Sequence, residues 1–106
     1  MQITIGKRHR VYKGVPLVAH FYCGRGTPLG NPYRVETVGR EAACDLYQEY
    51  FDEFRGARPG FQKRLDEIEQ ALMQYGRVAL LCHCAPERCH CETIRKYLLD
   101  RNTLAV

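Results

Sequence analysis

Val78, Ala79, Leu80 and Leu81 form an unbroken apolar run that leads straight into Cys82-His83-Cys84-Ala85-Pro86-Glu87-Arg88-Cys89-His90-Cys91-Glu92. Side chains alternate across a strand, so a run with no polar position has no face to give to water, and it predicts a central strand covered on both sides. Glu92 to Asp100 then reads as a last helix burying Ile94, Tyr97 and Leu98. A buried strand that turns into a helix through a loop rich in cysteine and histidine is the main constraint on the fold, and it locates the most reactive side chains at a strand end.

The rest of the chain supplies what such a strand needs around it. Gln2 to Ile5 alternates polar and apolar residues and reads as a short strand. Val15 to Tyr22 is a second strand candidate that starts beyond Pro16. From Glu41 to Arg55, Ala43, Leu46, Tyr47, Tyr50 and Phe54 follow helical spacing, with Gly56 as the stop. Phe61, Leu65, Ile68, Leu72 and Tyr75 recur at steps of four and three and predict a second helix, ended by Gly76. The order strand, strand, helix, helix, strand, helix predicts a small Rossmann-like α/β domain of two or three layers, with a short sheet and three main helices. At 106 residues the chain is expected to form one domain, 1–106.

Ligands of such folds collect beyond the carboxyl ends of the strands. Two unusual loops leave strand ends here, Cys23 to Pro32 and Cys82 to Cys91, so they are expected to face one another across one site. The first packs three glycines and two prolines into ten residues. Glycines at positions such as Gly30 let backbone approach a ligand, Arg25 can fork onto a phosphate or carboxylate, and Asn31 before Pro32 serves equally as a turn former. The loop lacks the lysine and hydroxyl of a phosphate-binding P-loop and the spacing of a dinucleotide fingerprint. Arg40, just before the first long helix, is a further candidate anion contact.

Net charge is +4, with bases at Lys7 to Arg10, Arg25, Arg34, Arg88, Arg95 and Lys96 and acids concentrated between Glu41 and Glu69. That pattern suits an anionic ligand but falls short of a dedicated nucleic-acid binder. With no apolar leader and no run of membrane-spanning length, a cytoplasmic protein is expected, in which six cysteines act as thiols or metal ligands rather than as a disulfide frame.

Within the second loop, six soft or borderline ligands occupy ten positions. Three chemistries fit them. Cys84 or Cys89 can act as a nucleophile with His90 as base and Glu92 as orienter or acid. A closed zinc site can draw on Cys82, Cys84, Cys89 and either His90 or Cys91, although Cys-x-Cys pairs depart from the usual two-residue knuckle. The thiols can also fill small gaps as modest hydrophobes while the histidines hold the loop.

Arg-x3-Leu-Gly-Asn-Pro at Arg25 to Pro32, an acidic aromatic helix, and Cys-x-Cys-x-Pro-x2-Cys-His at Cys82 to His90 together resemble the domain-of-unknown-function family DUF4326, a small bacterial and phage domain. The resemblance runs from the second strand to the last helix. The family's second motif usually continues with glycine and an acid; here Cys91 replaces the glycine and adds a ligand-capable thiol, while Glu92 keeps the acid. The cysteine-rich strand end is also similar to that of Rossmann-like domains associated with nucleotides, which implies by fold analogy a nucleotide-like ligand and, for an enzyme, hydrolase or transferase chemistry on nucleosides or nucleotides. The alternative is a non-catalytic zinc-stabilised module that binds nucleic acid or protein.

Overall fold

The computed structural model describes residues 1–84 and 87–103; Ala85 and Pro86 of the second loop lie outside the described residues. Strand β1 (Gln2–Lys7) is followed by a single 3-10 turn at Leu17–Ala19, strand β2 (His20–Tyr22), a one-turn helix α1 (Val35–Val38), helices α2 (Arg40–Phe54) and α3 (Pro59–Tyr75), strand β3 (Arg77–Cys82) and helix α4 (Cys91–Thr103). The three strands form one parallel sheet in the order β1-β3-β2. The last strand is therefore the central one, and Val78, Ala79 and Leu80 are fully buried, as an all-apolar run requires. Parallel neighbours need a crossover, and α1 to α3 supply it between β2 and β3. The fold is α/β and Rossmann-like, with three main helices.

Register shows how the sheet is covered. Ile5, Leu80 and Phe21 lie in one row, and the Arg64 guanidinium of α3 sits over the Phe21 ring. Cys82 has the same parity as Leu80, and its thiol meets Cys89 just ahead of α4. Arg101 of α4 in turn bonds Glu69 of α3. Helices α3 and α4 thus lie side by side on one face. The next row, Gly6, Leu81 and Tyr22, belongs to the opposite face, where the Tyr12 ring packs against Gly6 and Arg8 stacks over Tyr22. An irregular segment covers that face, so of the two expected arrangements the two-layer one is found.

Helix α2 joins the helical layer through rings. Phe51 makes edge contacts with Phe61 of α3 and Tyr97 of α4, with centroids 5.4 and 5.3 Å apart. Tyr47 and Phe51 are core, whereas Tyr50 and Phe54 are half-buried. Helix α3 begins two residues before Phe61 because Pro59 occupies its first turn, where a missing N–H costs nothing. It ends at Gly76, whose φ of +73° is the left-handed cap that favours glycine.

The second strand is shorter than expected. Pairing with β3 starts only at His20, and Leu17 and Val18, apolar residues within the candidate strand, are 70% and 67% exposed. Pro16 starts a 3-10 turn whose first bond runs from the Ala19 N–H to the Pro16 carbonyl, and β-branched composition without a partner strand does not make a strand. Helix α1 was not expected, since a single turn shows no apolar period; Gly39, at φ +87°, separates it from α2. Arg40 is the first residue of α2 rather than a residue before it.

Candidate ligand cleft and thiol cluster

The loops after β2 and β3 do come together. The Cys23 N–H continues the parallel ladder to the Leu81 carbonyl at 2.9 Å, and His90 Nε2 bonds the Cys23 carbonyl. A carbonyl can only accept, so Nε2 carries the proton and Nδ1 faces the Cys89 sulfur at 3.6 Å as an acceptor. Burial lowers the His90 pKa, and the neutral ring packs edge-on against Tyr47, 4.9 Å between centroids.

The first loop is held in shape from within. Gly30 lies so close to Gly24 that a Cβ there would stand 2.6 Å from the Gly24 carbonyl oxygen, the same oxygen that accepts from the Thr27 hydroxyl at 2.6 Å. The Asn31 amide donates to the Ala43 carbonyl of α2 at 3.1 Å, and its oxygen accepts from the Tyr33 N–H at 2.9 Å. The turn-forming role weighed for Asn31 is thus present in full. The buried Tyr47 hydroxyl donates to the Leu29 carbonyl at 2.8 Å. Gly30 and Asn31 set the loop's path over α2.

Between the loops opens a cleft of about 440 Å³, with Arg25, Asn31, Arg40, Cys84, Arg88 and His90 among its lining residues. Three arginines and a single carboxylate, Glu36, line it. Arg25 holds Glu36 loosely at 3.6 Å, with both side chains exposed. Arg40 pairs with Glu87 at 3.1 Å and donates to the Arg88 carbonyl at 3.2 Å, and contact with the Cys84 thiol raises its pKa further. Arg88 is clamped by Asp45 at 2.9 Å and by Glu41. Cys84 is half-buried and reaches the cleft.

The amides at the start of α4 have partners within the protein. The Cys89 N–H is capped by Glu92 Oε2 at 3.3 Å, the Cys91 N–H points to the Cys89 sulfur at 3.4 Å, and the Glu92 and Thr93 amides bond the Cys89 and His90 carbonyls. These donors are already engaged, and of the three cleft arginines Arg25 has the loosest partner, the 3.6 Å pair with Glu36. Glu92 caps its own helix and faces a separate groove between α2 and α4.

Beneath the cleft the thiols gather. Cys82, Cys89 and Cys91 have their sulfurs within 4.8 Å of one another and are able to hold a metal ion. The Cys82 and Cys89 sulfurs are 2.9 Å apart. The thiol of Cys23 lies beside them, next to that of Cys91, and donates to the Phe21 carbonyl at 3.6 Å. All four are sealed from solvent, at 0 to 2% exposure, and none is in a disulfide. The Cys82 thiol, above all, raises the pKa of Cys89, and contact with Cys23, Cys82 and Cys89 raises that of Cys91. Cys84 and His90, metal candidates read from the sequence, lie outside this triad, His90 with its Nε2 on the Cys23 carbonyl, while Cys91 is inside it and Cys23 lies beside it. Cys23 was missed as a participant, because the only signal for it is the pairing of β2 with β3. Continuing that register by one residue sets Cys23 beside Cys82 on the same face.

A parallel Rossmann-like sheet whose two motif loops meet over a buried cluster of cysteines defines a small cysteine-rich α/β domain. The chain belongs to the family described as domain of unknown function DUF4326, whose model matches residues 7–100. No curated protein and no solved structure matches it. Among the described residues, no helix is long and apolar enough to cross a membrane.

Proposed function

We propose that this domain binds a small anionic ligand of the phosphate or nucleotide class in the cleft between the two loops. The observation that supports the reading is the lining itself: three arginines to one carboxylate, at the carboxyl end of a parallel sheet, where ligands of such folds bind. Arg25 and Arg40 are the residues that hold the anion. Arg25 can exchange a loose, solvent-exposed pair with Glu36 for a phosphate at little loss. Gly30 and Asn31 fix the loop that carries Arg25. If the bound ligand is also turned over, the thiol that meets it is Cys84, half-buried beside Arg40, rather than Cys89, which is buried with its proton held on.

The test is calorimetric titration, at low and at moderate salt, with inorganic phosphate, nucleoside mono- and triphosphates and an uncharged nucleoside. The phosphorylated probes are expected to bind with an affinity that falls as salt rises, and Arg25→Ala and Arg40→Ala each to weaken binding about tenfold, the scale of one charge-assisted contact. Binding of the uncharged nucleoside alone, or binding indifferent to both substitutions, would overturn the reading.

A further inference from the structure

We propose that Cys23, Cys82, Cys89 and Cys91 form a closed tetrathiolate site for one zinc-class divalent ion, independent of any ligand in the cleft above. Two separate elements, the end of β3 and the turn into α4, deliver the sulfurs of Cys82, Cys89 and Cys91 to one point, and Cys23, just past the end of β2, lies next to them. A tetrahedral ion with metal–sulfur bonds of about 2.3 Å requires sulfurs about 3.8 Å apart. The described triad brackets that spacing, from 2.9 Å for Cys82 and Cys89 to no more than 4.8 Å for any pair. The fourth ligand of this proposal is Cys23: the ladder bond from its N–H to the Leu81 carbonyl sets it beside Cys82, and binding requires its sulfur to turn from the Phe21 carbonyl, to which it donates at 3.6 Å, toward the triad.

The surroundings are those of a structural site. Solvent is excluded from all four residues, so there is no open coordination position of the kind a catalytic zinc keeps. The Cys91 N–H directed at the Cys89 sulfur supports negative charge on that ligand. His90, through its Nε2 bond to the Cys23 carbonyl, fixes the backbone that presents one ligand, the usual task of a group just outside a metal's ligand set.

The experiment begins with the reduced wild-type protein, whose native and denatured masses are compared. The apo protein is then titrated with cobalt(II). One metal per chain, a sulfur-to-cobalt charge-transfer band saturating at one equivalent, and a thermal midpoint lowered by chelator are expected. Cys91→Ser should remove the band and Cys23→Ser weaken it, while Cys44→Ser and Cys84→Ser leave it intact. A wild-type protein that takes up no cobalt overturns the proposal whether or not the variants fold. So does a band that depends on Cys84, a Cys82–Cys89 disulfide in the native chain, or iron with labile sulfide. Arg25→Ala and Arg40→Ala should not change metal content, so failure of the cleft reading and failure of this one are read separately.

Discussion

Tyr47→Phe is the most direct test of how the first loop is held. The substitution removes one oxygen and leaves the ring's contacts with Tyr50, Phe51 and His90 in place. What is lost is the 2.8 Å bond to the Leu29 carbonyl, made where both residues are fully buried. A net hydrogen bond of about 1 kcal/mol, plus part of the desolvation cost of an acceptor left without that donor, gives a loss of roughly 1.5 kcal/mol. Unfolding entropy of about 2.1 cal/mol/K per residue, over 106 residues, turns this into a fall of about 7 °C in the thermal midpoint. Urea unfolding should show a lower midpoint with an unchanged slope, because the surface exposed on unfolding is the same. A change below about 0.3 kcal/mol would refute the reasoning, since it would mean that the hydroxyl does not tie the loop to α2.

The glycines give a paired expectation. Gly30→Ala drives a methyl into the Gly24 carbonyl and should cost about 1–3 kcal/mol by urea titration, as overpacking does, whereas Gly60→Ala, with open space around its Cβ and a position inside α3, should be neutral or stabilising by up to about 0.5 kcal/mol. Brief alkylation of the native reduced protein, read by peptide mass spectrometry, should label Cys84 first, because the other five cysteines are buried; equal labelling of Cys89 or Cys91 would mean that the cluster is open.

The parts of the fold that were legible in the sequence are those in which one segment carries its own periodicity. Phe61, Leu65, Ile68 and Leu72 announced α3, and all four are buried; Val78 to Leu81 announced the central strand. What depends on pairing was not legible. Leu17 and Val18 have strand composition but no neighbour to bond, and α1 is too short to show a period. At the site, the sequence placed the two loops at strand ends and the structure brings them together. The choice among the cysteines lay deeper. Strand alternation would set Cys84 on the side of Cys82, but the strand ends at Cys82, and Cys84 reaches the cleft instead. Cys23 could be tied to Cys82 only by knowing which strand lies beside which.

The strand order carries a consequence for how the chain acquires its shape. β1 and β2 do not touch; each is bonded only to β3, and Ile3 pairs with Val78 across most of the sequence. During synthesis, which delivers the amino end first, neither early strand has a partner in the sheet until β3 arrives. Helix α3, whose backbone hydrogen bonds are local, can form in advance, but the sheet closes in one late step that brings distant segments together, a topology that folds slowly for its size. Until β3 slots between them, β1 and β2 are two unsatisfied edges, open to pairing with another chain.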